Sequence, residues 1–152
     1  MKQLTLILMT LVFGAVLSFA DYNNTISGSQ TAAPEAQGIA LNLTASGDLP
    51  GMSKVMLQRD GLNITGGTFR LIVLPQNADA SSSERGNLVG TITGGTLTLN
   101  AEGTVSSASS VQITIQSGTG DYANVTTGTA TLNLSANAEN PTQLTGTLVL
   151  SF

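Results

Sequence analysis

The chain has no cysteine, no histidine and no tryptophan. Without cysteine there is neither a disulfide framework nor a thiolate nucleophile. Lacking histidine as well, it has no Ser-His or Cys-His system and none of the usual zinc sites. Charge is scarce too, at 9% of residues. The acidic residues are scattered and no D-x-[DN]-x-[DN]-G loop occurs, so Asp79 and Glu84 read as solvated loop residues rather than Ca²⁺ ligands. Paired carboxylates for glycoside chemistry would have to be gathered from distant strands, because most acids fall at turns. No metal and no cofactor is expected.

Long apolar runs are confined to the N-terminus. Lys2 is a short positive region, Leu4 to Phe19 an apolar stretch, and Ser18-Phe19-Ala20 puts small residues where a signal peptidase needs them. The reading is an export signal over residues 1–20, cleaved before Asp21. The apolar run is short for a helix crossing ~30 Å of hydrocarbon and no basic stop-transfer cluster follows it. A secreted or periplasmic protein is expected, with no lipid-anchored form because no cysteine is present.

Beyond Ala20, four basic residues (Lys54, Arg59, Arg70, Arg85) stand against nine acidic ones, a net charge of −5. That balance argues against nucleic acid and anionic membrane surfaces, which need a basic patch to displace counterions. Five N-x-[ST] sequons, at Asn23, Asn42, Asn63, Asn124 and Asn133, are what a chain rich in Asn, Ser and Thr produces. They matter only in a eukaryotic host.

What is present is alternation. Asp21 to Gln37 is polar and reads as a flexible leader, but from Gly38 onward apolar and hydroxyl residues take turns. Ile39, Leu41, Leu43 and Ala45 share one face; so do Val111, Ile113 and Ile115, then Ala130, Leu132 and Leu134, then Leu144, Gly146, Leu148, Leu150 and Phe152. A period of two marks half-buried strands. Asp48-Leu49-Pro50-Gly51 predicts a turn, Asp60-Gly61 a two-residue hairpin turn, and Gln76 to Gly86 a mobile polar loop. Ile64-Thr65-Gly66-Gly67-Thr68 recurs as Ile92-Thr93-Gly94-Gly95-Thr96, which reads as two hairpins of one turn type or as bulges.

About eight strands fit one domain over residues 38–152, a small antiparallel β-barrel or alternatively a β-sandwich. Closure is favoured because edges so rich in Thr and Val would be adhesive. An eight-stranded barrel is filled by side chains or holds one small ligand.

The stretch Gly118-Thr119-Gly120-Asp121-Tyr122-Ala123-Asn124-Val125-Thr126-Thr127-Gly128 resembles the glycine-rich turn of the allene oxide cyclase and dirigent barrel superfamily. With the Gly-Gly-Thr strand start and the closing Thr-Gly-Thr-Leu strand, the region from Gly66 to Phe152 is similar to small exported bacterial barrels of that type. The resemblance implies an eight-stranded antiparallel barrel, often trimeric, with an apolar cavity open at one end. In plant members that cavity steers the cyclisation or coupling of apolar substrates. The turn and Tyr122 align, whereas no cavity carboxylate does; Asp121 and Glu102 sit beside predicted turns. Fold, not activity, is what carries over.

Three residues are the candidates for ligand binding. Arg70 shares a face with Thr68, Ile72 and Leu74, and either snorkels at a barrel rim or meets a carboxylate inside. Tyr122 lines a cavity mouth or fills a corner. Met56, with Met52, is adaptable packing or soft lining. Arg59 beside Asp60 reads as hairpin decoration. The leading expectation is an exported, soluble barrel without established catalysis that binds a small apolar molecule. Alternatives are a filled structural or surface-interaction barrel, a cyclase- or dirigent-like enzyme, and a small outer-membrane barrel suggested by the alternating, Phe-terminated last strand. The last is weakened by having only Tyr22, Phe69, Tyr122 and Phe152 as aromatics after Ala20.

Overall fold

The computed structural model describes residues 19–31, 38–76 and 83–152. Residues 1–18 of the expected signal, 32–37 of the expected leader and 77–82 of the polar loop, Asp79 included, lie outside the described residues.

Eight strands form a closed antiparallel barrel: β1 Asp21–Thr31, β2 Gly38–Gly47, β3 Gly51–Asp60, β4 Asn63–Val73, β5 Gly86–Leu99, β6 Val105–Gly118, β7 Gly128–Ala136 and β8 Gln143–Ser151. Each strand pairs with the next, and β1 closes the ring on β8, with Ile26 opposite Gly146. A single 3₁₀ turn, Gly120–Tyr122, joins β6 to β7.

The barrel thus starts at Asp21 and not at Gly38. Residues 21–31 of the expected leader are a strand of 11 residues, paired on both sides. Its inward positions include Asn24, Ile26 and Gly28, so one isoleucine is nearly all the apolar signal that β1 offers. Tertiary pairing supplies the rest. Buried Asn24 accepts a 2.8 Å hydrogen bond from the Leu49 N–H on its Oδ1, and so holds the β2–β3 turn against β1. Gly28 is needed because a Cβ there would overlap the Asn42 carbonyl of β2.

Two turn assignments shift. Asp60 still pairs with Asn63, so the two-residue loop is Gly61-Leu62, with Gly61 at φ +59°. Glycine at the first central position is what a primed hairpin turn requires. The two Gly-Gly copies are not hairpins; they lie inside β4 and β5, next to register shifts. Ile64 sits opposite Gly95, and a Cβ on Gly95 would come within 3.1 Å of the Ile64 Cδ1. Reciprocally, a Cβ on Gly67 would come within 3.2 Å of the Ile92 Cδ1. The repeat is therefore a local two-fold across adjacent strands, each glycine making room for the other copy's isoleucine. Both glycines hold positive φ, +139° and +144°, which bends the sheet around the barrel.

Inside, a single apolar cluster runs through all eight strands, from Ile26, Leu41 and Val55 through Phe69, Leu88 and Ile113 to Leu132 and Leu148. The interior is a packed core, and most outward positions are Thr, Ser, Asn or Gln. This is the inverse of a membrane-spanning barrel, whose apolar band faces outward.

Candidate binding face on β3 and β4

One sector of the exterior departs from the hydroxyl pattern. On the outer face of β3 stand Met52, Lys54 and Met56; on β4 stand Ile72, Arg70 and Thr68. The register aligns them in cross-strand rows. Thr44, Met52, Ile72 and Asn87 form one row, and Asn42, Lys54, Arg70 and Val89 the next. Met56 and Thr68 pair in the row beyond. Met52 is 54% exposed and Val89 37%, two of the five exposed large hydrophobics among the described residues.

Lys54 and Arg70 are thus directly opposite each other, a like-charge arrangement that destabilises a sheet unless something offsets it. Among the described residues neither is ion-paired; the salt bridge there joins Arg85 to Asp121. Arg70 Nε donates to Asn87 Oδ1 at 3.1 Å. Asn87 is itself buried, its backbone N–H and Nδ2 both donating to Thr119 Oγ1 at 3.1 and 3.3 Å. This chain of bonds ties the exposed guanidinium to the sheet through Nε and leaves its terminal nitrogens without a partner among the described residues.

Two clefts flank the cationic pair. One, of about 310 Å³, is lined by Asn42, Thr44, Met52 and Ile72 together with Lys54 and Arg70. The other, of about 410 Å³, adds Met56, Thr68 and Val89 to the same two cations. Arg70 is therefore neither at a rim nor inside: it is exposed on the outer wall, because β4 turns Phe69, Leu71 and Val73 inward.

Of the three expected ligand-binding residues, the fold brings Arg70 and Met56 into one cleft and places Tyr122 elsewhere. Tyr122 is 7% exposed at the barrel end where β6 meets β7. Its ring meets Phe152 edge-on at 6.2 Å, and Phe152 stacks on Tyr22 at 4.7 Å. Arg85 lies 5.7 Å above the Tyr122 ring and donates from Nε to Asp121 at 2.9 Å. Burial raises the Tyr122 phenol above its ordinary value, with the Arg85 charge pulling the other way. The bond to Asp121 pushes the Arg85 guanidinium up in turn. The glycine-rich turn earns its composition here: a Cβ on Gly118 would strike Tyr122, and one on Gly120 the Arg85 carbonyl. Arg59 is hairpin decoration, its Nη1 donating to the Gly61 carbonyl at 2.8 Å.

Lys54 and Val89 were not singled out by sequence reasoning, whereas Met52 was read with Met56 as packing or soft lining and Ile72 was placed on the Arg70 face. The available signal was the loss of Thr and Ser from the outward positions of β3 and part of β4. The cross-strand register that joins them was not readable from one strand at a time. No known protein family, curated protein or solved structure matches this chain. Chemically the face offers two cations beside soft apolar side chains. Among the described residues no three potential metal ligands come together.

Proposed function

We propose that this chain is an exported, non-catalytic barrel that works through its outer surface, with the β3–β4 face as its contact region. The observation carrying this is the distribution of apolar side chains. The interior is filled by the protein's own Leu, Ile, Val and Phe, while Met52, Ile72 and Val89 are left facing out around Lys54 and Arg70. A filled core speaks against a ligand held inside the barrel, as the cavity reading requires. The buried polar residues are Asn24, Ser53 and Asn87; none is the acid that a cyclase-like reaction needs. Export is supported by the pattern of residues 1–20. Kinship to the cyclase and dirigent barrels rests on the Gly118–Gly128 turn and is compatible with eight antiparallel strands.

The test is a titration of the protein from Asp21 onward with benzene or xenon, followed by methyl NMR. The expected result is no saturable shift of the inward Leu71 and Ile113 methyls. Saturable shifts there would establish an accessible internal cavity and sink the outer-surface reading.

A further inference from the structure

We infer that the β3–β4 face binds a single-chain anionic amphiphile, its carboxylate held between Lys54 and Arg70 and its apolar chain lying along Met52 and Ile72. This rests on the reading of the outer wall as the contact region and names what occupies it. Three observations converge. A directly opposed Lys–Arg pair lies on the wall of a chain whose charge is otherwise acidic. The guanidinium is fixed by Asn87 through Nε, so its terminal nitrogens present a planar fork, the geometry that matches a carboxylate. Adjoining cleft space of about 310 Å³ is at the small end of small-molecule sites, ~300–1,000 Å³, and its side chains are Met52 and Ile72 next to the cations. Methionine suits a flexible chain because its own side chain adapts and is polarisable.

Charge decides between occupants. A two-fold pairing of this face with a second copy would set Lys54 and Arg70 against themselves. Among the described residues the acids that could answer those cations in another pairing lie in the connections between strands (Asp48, Glu84, Glu102, Asp121 and Glu139) or at strand ends (Asp21 and Asp60), and none stands in the middle of a sheet face. An anionic bilayer would meet the same two cations but also the repulsion of a net acidic protein. A monomeric carboxylate amphiphile meets the cations alone.

The experiment uses the protein from Asp21 onward with ¹³C-labelled methionine, leucine and isoleucine methyls, titrated with dodecanoate below its micelle concentration. Dodecyltrimethylammonium, of the same chain length, is the control. The expected result is a saturable shift of Met52 and Met56 with dodecanoate and not with the cationic analogue, weakening as salt is raised. Lys54→Gln with Arg70→Gln weakens binding at least about ten-fold, the loss of charge-assisted hydrogen bonds of ~1.5–3 kcal/mol each. Lys54→Arg with Arg70→Lys retains it. Equal binding of the cationic analogue, unmoved methionine methyls, or binding confined to phosphatidylglycerol vesicles or to polyglutamate would each overturn the inference while leaving the filled-core reading in place. A dodecanoate-dependent shift of Leu71 and Ile113 would overturn both.

Discussion

Two arginines in this barrel sit beside apolar surface and have opposite surroundings. Arg85, at the end of the barrel, lies over Tyr122 and is neutralised by Asp121. Around it, Tyr22, Tyr122 and Phe152 pack on one another and the glycines at 118 and 120 let the backbone close tightly. Arg70, on the outer wall, faces Lys54 and is flanked by exposed Met52 and Val89. The first region satisfies itself and reads as architecture. The second leaves its two cations without a counter-charge among the described residues and its apolar side chains exposed, which is the basis of the proposed contact face. An arginine near an aromatic is therefore no more a site than one near a methionine; what separates them is whether the chain supplies the counter-charge.

If that contrast is right, substitutions at the end of the barrel change stability and those on the wall do not. The largest effect is expected from Tyr122→Ala, which removes a buried ring and its contacts and should cost ~3–4 kcal/mol in urea unfolding. Gly120→Ala follows, at ~2 kcal/mol, since φ is +60° there and the new Cβ would meet the Arg85 carbonyl and, at 2.9 Å, the Gly86 Cα.

Tyr122→Phe has the opposite sign. The Tyr122 hydroxyl is buried without a hydrogen-bond partner, and its removal should stabilise the fold by ~1 kcal/mol. The same variant tests a pH dependence. Because burial holds the folded phenol above its ordinary 10.0, the unfolded chain releases that proton first as pH rises. The contribution is fully present below pH 10 and lost as pH climbs through the folded value. Urea midpoints measured from pH 9 upward should fall less steeply in Tyr122→Phe than in the parent; equal slopes would refute this account.

The smallest effect is the most telling one. The double variant Lys54→Gln, Arg70→Gln should leave unfolding free energy within ~1 kcal/mol of the parent, since relief of the Lys54–Arg70 repulsion offsets the lost bond from Arg70 Nε to Asn87 Oδ1. A loss of 2 kcal/mol or more, on the scale of ~1 kcal/mol typical for one mutation, would show the pair to be structural and collapse the comparison.

Strand alternation was readable wherever the inward residues are Leu, Ile or Val, as in β2, β6, β7 and β8. It failed at β1, where Asn24 and Gly28 replace apolar residues at inward positions and only pairing with β2 and β8 makes a strand. It left the Gly-Gly echo open between hairpins and bulges, because both use glycine for the same reason, positive φ, and the register shifts decide for bulges inside β4 and β5. For the candidate face, Arg70 and Met56 prove to line one cleft, a proximity no single strand reveals; Arg70 was expected at a rim or inside, and Tyr122 at a cavity mouth or in a corner.

The amino-acid order by itself determined the all-β class, the two-sided character of most strands and the absence of histidine and cysteine chemistry. Those properties follow from side-chain type and a period of two, both local. Only the tertiary structure decided that the ring closes through β1, that the inward side chains form one apolar cluster, and that Lys54 meets Arg70 while Tyr122 packs on Phe152 at the barrel end. Each of these depends on which strands lie side by side and in what register, and register is set by the summed packing of all eight strands.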